Sequence, residues 1–192
     1  SPRVSRVRKS QFIDLEQAQN LARASRFAEQ IELPLNQFIT IRWPTGTSVP
    51  NERKRLFELL RHRMSRAGVP FCHVWVVEIG RLSDDNCEHM HMALHVPDGL
   101  AGDADEFVRA RLGTDDQRAL KVKPVTDRAG LIRYFLKGVD PAGYKQFGIP
   151  VKEQGGQGTV VGIRCGTSRN IGRAAREAYF DAKTVSFPSS VT

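Results

Sequence analysis

Several things are missing from this chain, and each absence excludes a class of protein. No apolar run in the 192 residues approaches the roughly 20 needed to cross a bilayer. The opening stretch, Ser1 to Ser10, is basic and lacks the apolar segment of a secretory signal. Without an initiator methionine, the chain is expected to be processed or trimmed. Cysteine is scarce. Cys72, Cys87 and Cys165 are odd in number and scattered, which argues against a disulfide framework and for a reducing compartment, expected to be the cytoplasm. No CxxC pair occurs, so a cysteine zinc ribbon is not expected. No GxxxxGK[ST] loop occurs either, so the chain carries no recognisable helicase motor. Internal repeats and low-complexity segments are lacking. Acids are outnumbered, with 21 Asp and Glu against 29 Lys and Arg, for a net charge of +8. Such a surplus concerns partners and not fold, and nucleic acid is the commonest polyanion.

What remains is the composition of an ordinary globular protein, 40% hydrophobic and 26% charged, long enough for one domain with a core. The basic residues are uneven. Arg3, Arg6, Arg8 and Lys9 crowd the start, and Arg164, Arg169, Arg173 and Arg176 the C-terminal part. Periodicity predicts a helix from Asp14, a capping residue, to Gln30. Gln37 to Trp43 alternates as a strand and stops at Pro44. A second helix runs from Asn51 to about Arg66 and ends before Gly68, with arginines on its outer face. Strands are expected near 70–79 and 87–96, joined by a short loop from Gly80 to Asn86. Then follow a helix over 103–112, a strand over 119–125 and a helix from Thr126 or Asp127 to Lys137. Beyond Asp140 the pattern weakens. A strand over 159–163, a last helix to about Ala182 and a loose tail from Phe187 to Thr192 are expected. The order β-α-β-β-α-β-α, with a helix before it, implies an α+β fold of ferredoxin-like or RNA-recognition-like type. Its sheet should be mainly antiparallel, with helices packed on one face. The expected divisions are a basic segment and helix over 1–36, a core over 37–140 and a basic extension over 141–192.

The most informative stretch is Glu88-His89-Met90-His91-Met92-Ala93-Leu94-His95, which holds three of the five histidines. On a strand, His89, His91 and His95 share one face, while Met90, Met92 and Leu94 share the other. The preceding strand, Val74-Trp75-Val76-Val77-Glu78, ends in a carboxylate. Paired antiparallel, it brings Glu78 across from His89 or His91. Two imidazoles and a carboxylate suit a divalent cation such as Mg²⁺, Mn²⁺ or Zn²⁺. Cys87 is an alternative ligand. His95 lies too far along the strand for the same ion, and is either a DNA contact or a polar edge residue.

Helix 127–137 carries a second chemical pair. Tyr134 and Lys137 are three apart and share one face. An ammonium beside a phenol can stabilise a phenolate or neutralise a phosphate held nearby.

Together these residues resemble a family. His89-Met90-His91 resembles the His-hydrophobic-His motif of HUH endonucleases. Tyr134-Phe135-Leu136-Lys137 resembles the Tyr-x-x-Lys motif of their replication-initiator (Rep) branch. Phe38-Ile39-Thr40-Ile41 resembles, more loosely, that branch's first motif. The three motifs occur in order on strand, strand and helix, and span 37–138. The resemblance implies an enzyme that nicks and joins single-stranded DNA in rolling-circle replication of a plasmid or phage. In it, His89, His91 and Glu78 would hold Mg²⁺ or Mn²⁺. Tyr134 would attack the scissile phosphate to leave a 5′-phosphotyrosine and a free 3′-OH, and Lys137 would orient or neutralise that phosphate. No second tyrosine follows closely, which resembles the single-tyrosine class. Tyr144 and Tyr179 are the other tyrosines. Implied partners are single-stranded DNA, including an origin hairpin, and a host helicase and polymerase. Arg42, Arg133, Arg164, Arg169, Arg173 and His95 are the expected DNA contacts. Two readings stay open beside it: an HUH transposase acting on hairpin DNA, and a non-catalytic nucleic-acid-binding domain of related fold.

Overall fold

The structure, a computed structural model, describes residues 8–80, 88–112, 116 and 118–185. Arg3, Arg6, Cys87, most of the 80–86 loop and the tail from Phe187 lie outside the described residues. Among the described residues, five α-helices and seven strands run in the order β1 (Lys9–Ser10), α1 (Leu15–Gln30), β2 (Gln37–Arg42), α2 (Val49–Arg66), β3 (His73–Ile79), β4 (Glu88–Leu94), α3 (Ala101–Leu112), β5 (Leu120–Pro124), α4 (Arg128–Phe135), β6 (Val160–Val161), β7 (Cys165–Thr167) and α5 (Arg173–Val185). From α1 to α4 the order is the expected one. The main sheet has five strands, all antiparallel, in the order β5-β2-β4-β3-β7. The fold is α+β with a mainly antiparallel sheet. No described helix is long and apolar enough to cross a membrane.

Local chemistry explains the helix ends. Asp14 closes a capping box on α1: its carboxylate accepts from the Gln17 N–H at 2.8 Å, and its own N–H donates to Gln17 Oε1 at 3.1 Å. The second helix starts earlier than Asn51. Pro50 occupies its first turn, where a missing N–H leaves no bond unmade. Asp127 caps α4 by accepting from the Gly130 N–H at 2.9 Å. That helix ends at Phe135, two residues short of expectation, and tightens into a 3₁₀ turn over Leu136–Gly138.

Helices cover both faces of the sheet, not one. Ile39, Ile41, Trp75, Val77, Met90, Met92 and Leu94 pack with Leu56 and Leu60 of α2 and Val108 of α3. On the other face Val74, Val76 and Ala93 pack with Leu21 and Phe27 of α1 and Leu131 and Phe135 of α4. The continuous run Val74 to Val77 is the mark of a strand buried on both sides. The polar part of the second face is confined to one end of the central strands. Burying one Leu, Ile or Met side chain contributes roughly 1.5–3 kcal/mol, so each layer is held by many such residues.

The C-terminal part departs furthest from expectation. Val160–Val161 pairs with Lys9–Ser10 in a separate two-stranded sheet. The fifth strand of the main sheet is Cys165–Thr167, pairing antiparallel with Val74 to Val76. Three residues carry no readable alternation, and tertiary pairing alone makes them a strand.

At the β3–β7 edge, the imidazole of His73 is buried between Phe57 (4.7 Å) and Phe71 (4.1 Å, nearly parallel). Burial pulls its pKa down to about 3, and the Arg61 charge acts in the same direction. The unfolded chain therefore protonates here near pH 6.5 while the folded chain stays neutral down to about pH 3. Stability from this group is intact above pH 6.5 and falls as pH drops below it. Urea unfolding should show wild type losing ~2 kcal/mol more than His73→Phe between pH 7 and pH 5. Parallel losses in the two proteins would contradict a buried neutral imidazole.

Candidate active site

The central strand is β4, and its register builds the site. His89 lies opposite Arg42 on β2 and Glu78 on β3. One rung inward, His91 lies opposite Thr40 and Val76. Strand alternation puts Arg42, Thr40, His89, His91 and Glu78 on one face, at the end that α1 leaves uncovered. Glu78 is only 2% exposed. Its Oε2 lies 3.4 Å from His89 Nε2 and 3.3 Å from His91 Nε2.

These three side chains fit a metal ion. One ligand atom from each lies within 4.8 Å of the others. The buried Glu78 Oε1 has no hydrogen-bond partner, so its lone pairs are free for a cation. His91 Nδ1 is 2.9 Å from Thr40 Oγ1. With the proton on Nδ1 donating to that hydroxyl, Nε2 turns its lone pair to the cluster, as outer partners of ligand histidines do. Phe38 stacks on the same imidazole at 5.5 Å and fixes its plane.

The covering helix brings in the second pair. Tyr134 is 37% exposed, and its hydroxyl is 3.3 Å from His91 Nε2. Lys137 Nζ is 2.8 Å from Glu78 Oε2 and 3.9 Å from the centre of the Tyr134 ring. The 3₁₀ turn keeps Lys137 aimed inward although the α-helix has ended. Burial would raise the Glu78 pKa, but His89, His91 and Lys137 outweigh it and hold the carboxyl well below its usual range. Burial would likewise lower Lys137, but Glu78 raises it. Burial lowers His91, which favours the neutral ring a metal requires.

Beside the tyrosine opens a cleft of about 440 Å³. Arg42, Lys121 and Lys123 line its basic side, with Phe38, His89, His91 and Tyr134 at its base. Lys121 and Lys123 pair with Thr40 and Phe38, so they share the face of the histidines. Sequence reasoning missed both lysines. The alternation in Leu120-Lys121-Val122-Lys123 puts them on one face, but only the sheet register shows which face.

The remaining expected residues disperse. His95 stands past the end of β4, with Nδ1 donating to the Pro34 carbonyl at 2.9 Å. Arg133 is half exposed near Asp127. Arg164 is buried, with its guanidinium donating to the carbonyls of Ser10 and Gly158. Arg169 is exposed on a different groove. Arg173 pairs with Glu177 at 2.9 Å and Glu16 at 3.7 Å. Among the other tyrosines, Tyr144 accepts from the Gly155 N–H and Tyr179 packs edge-on against Phe27, neither at the histidine cluster. No family model matches this chain, and no curated protein or solved structure matches it.

A metal ion bound by Glu78, His89 and His91 should raise the melting temperature. At a free Mn²⁺ concentration a hundred times its Kd, the gain is about 2.7 kcal/mol, on the order of 5–10 °C. His91→Ala should abolish the rise. Glu78→Gln should abolish it too, and also lower the metal-free stability by about 3 kcal/mol, because Lys137 loses its counter-charge. A metal-induced rise that survives both substitutions would place the ion elsewhere.

Proposed function

We propose that this chain is a metal-dependent, sequence-specific nickase and joining enzyme for single-stranded DNA. It would act as a single-tyrosine HUH endonuclease of the replication-initiator branch, in rolling-circle replication. One observation carries the reading: the half-exposed Tyr134 hydroxyl lies 3.3 Å from His91, a residue of the candidate metal cluster, with the Lys137 ammonium against its ring. A nucleophile, a cationic group and a cation site thus converge on one point at the base of a basic cleft.

The chemistry assigned to each residue follows from its place. When bound, Mg²⁺ or Mn²⁺ would polarise a phosphate oxygen and offset the charge that builds on it. Arg42, Lys121 and Lys123 hold the flanking phosphates in the cleft by charge. Tyr134 gives up its phenolic proton, and its oxygen attacks the phosphorus. The bond from phosphorus to the 3′-oxygen breaks, and that oxygen takes up a proton. The products are a 5′-phosphotyrosine and a free 3′-OH. Lys137 would orient or neutralise the phosphate. The ester conserves the bond energy, so attack by a 3′-OH reverses the step and joins strands. The same buried carboxylate argues against the bare binding-module reading, since a surface that only tracks phosphates gains nothing from burying an anion.

The test is a covalent adduct. With Mn²⁺ and a pool of single-stranded oligonucleotides that includes the origin region, wild type should yield a slow band on a denaturing gel. Tyr134→Phe, His91→Ala and EDTA should each abolish it. Lys137→Met should slow it by roughly 10²–10³-fold. An adduct that survives Tyr134→Phe would overturn the assignment of the nucleophile. Metal-independent DNA binding with no adduct would overturn the enzyme.

A further inference from the structure

The opposite face of the sheet carries a second groove, of about 620 Å³, where α2 crosses the β3–β7 edge. Its floor is aromatic. The Trp75 indole lies over Gly166, where a Cβ would stand only 3.0 Å from the ring, so glycine leaves the room the indole fills. The Arg53 guanidinium covers Trp75 at 4.0 Å from its centre. Beside it runs the Phe57-His73-Phe71 stack, in which Phe57 and Phe71 stay partly exposed.

The walls are cationic. Arg61 from α2 and Arg169 from the 3₁₀ turn after β7 are exposed on the groove, and no acid lines it. One buried polar atom lacks a partner here, Oδ1 of Asn170. A bare anion has no use for the rings, and an apolar segment has none for the guanidiniums. A flat heterocycle with polar edges, joined to phosphates, uses both.

We propose that this groove is a second binding site for single-stranded DNA, with backbone phosphates on Arg61 and Arg169 and a base on the Phe71 and Arg53 surface. It shares no residue with the Tyr134 cleft and needs neither metal nor nucleophile. It would hold a segment of strand distant from the one at Tyr134.

The test uses the full chain carrying Tyr134→Phe, in EDTA, so that no adduct forms and the nickase reading does not enter. A fluorescent 15-residue oligothymidylate reports affinity, and a 5-iodouracil version crosslinks to nearby rings on irradiation. Crosslinks should map to Phe57 or Phe71. Arg61→Ala with Arg169→Ala should weaken binding about tenfold and flatten the slope of log K against log salt by about 1.4, two phosphate contacts at ~0.7 each. The circular dichroism should be unchanged, both residues being exposed. Crosslinks confined to Phe38 and position 134, with affinity and slope unaltered in the double variant, would overturn the site. So would equal competition by inorganic phosphate or by duplex DNA.

Discussion

The Glu78 carboxylate is the constraint on which the catalytic end depends. It is an anion almost wholly out of water, and a charge so placed costs several kcal/mol unless others answer it. Two imidazoles and an ammonium do so, at 3.4, 3.3 and 2.8 Å. Each comes from a different position in the fold: two from the neighbouring strand and one from the turn after α4. The carboxylate therefore draws strand, strand and helix to one point. Its other oxygen, Oε1, is left without a hydrogen bond, as a cation site requires.

The rest of the fold makes such a cluster tolerable. Alternate residues of β4 send Met90, Met92 and Leu94 into the layer beneath α2 and α3. On the other face, Ala93 and Val74 meet α1 and α4 one rung inward from His91. The polar residues occupy one end of the strands, where Tyr134 of α4 and Lys137 of the turn after it lie against them. Phe38 joins the two regimes: it packs edge-on against Phe135 in the core and stacks on His91 at the site. The same ring meets Tyr134 edge-on at 5.6 Å, so imidazole and phenol are aligned by one rigid neighbour.

The positive charge divides by place and by task. Arg164 is consumed internally, binding β1 to the loop at Gly158. Arg173 is engaged by Glu16 and Glu177. Arg42, Lys121 and Lys123 face the cleft, while Arg61 and Arg169 face the second groove. A count of +8 therefore says little until each cation is placed.

Local properties of the chain were legible without the structure. Spacing of two put His89 and His91 on one strand face, and spacing of three put Tyr134 and Lys137 on one helical face. The Asp14 cap, the helix stops and the α+β order came from the same short-range rules. Tertiary structure alone decided the pairings. Period two says which face a residue takes, but not which strand lies beside it or in what register. So the meeting of Glu78 with both imidazoles, the approach of Lys121 and Lys123, and the burial of Arg164 depend on strand order and long-range closure. Cys165–Thr167, three residues with no pattern of their own, became the edge of the sheet only because β3 offered unpaired backbone groups there.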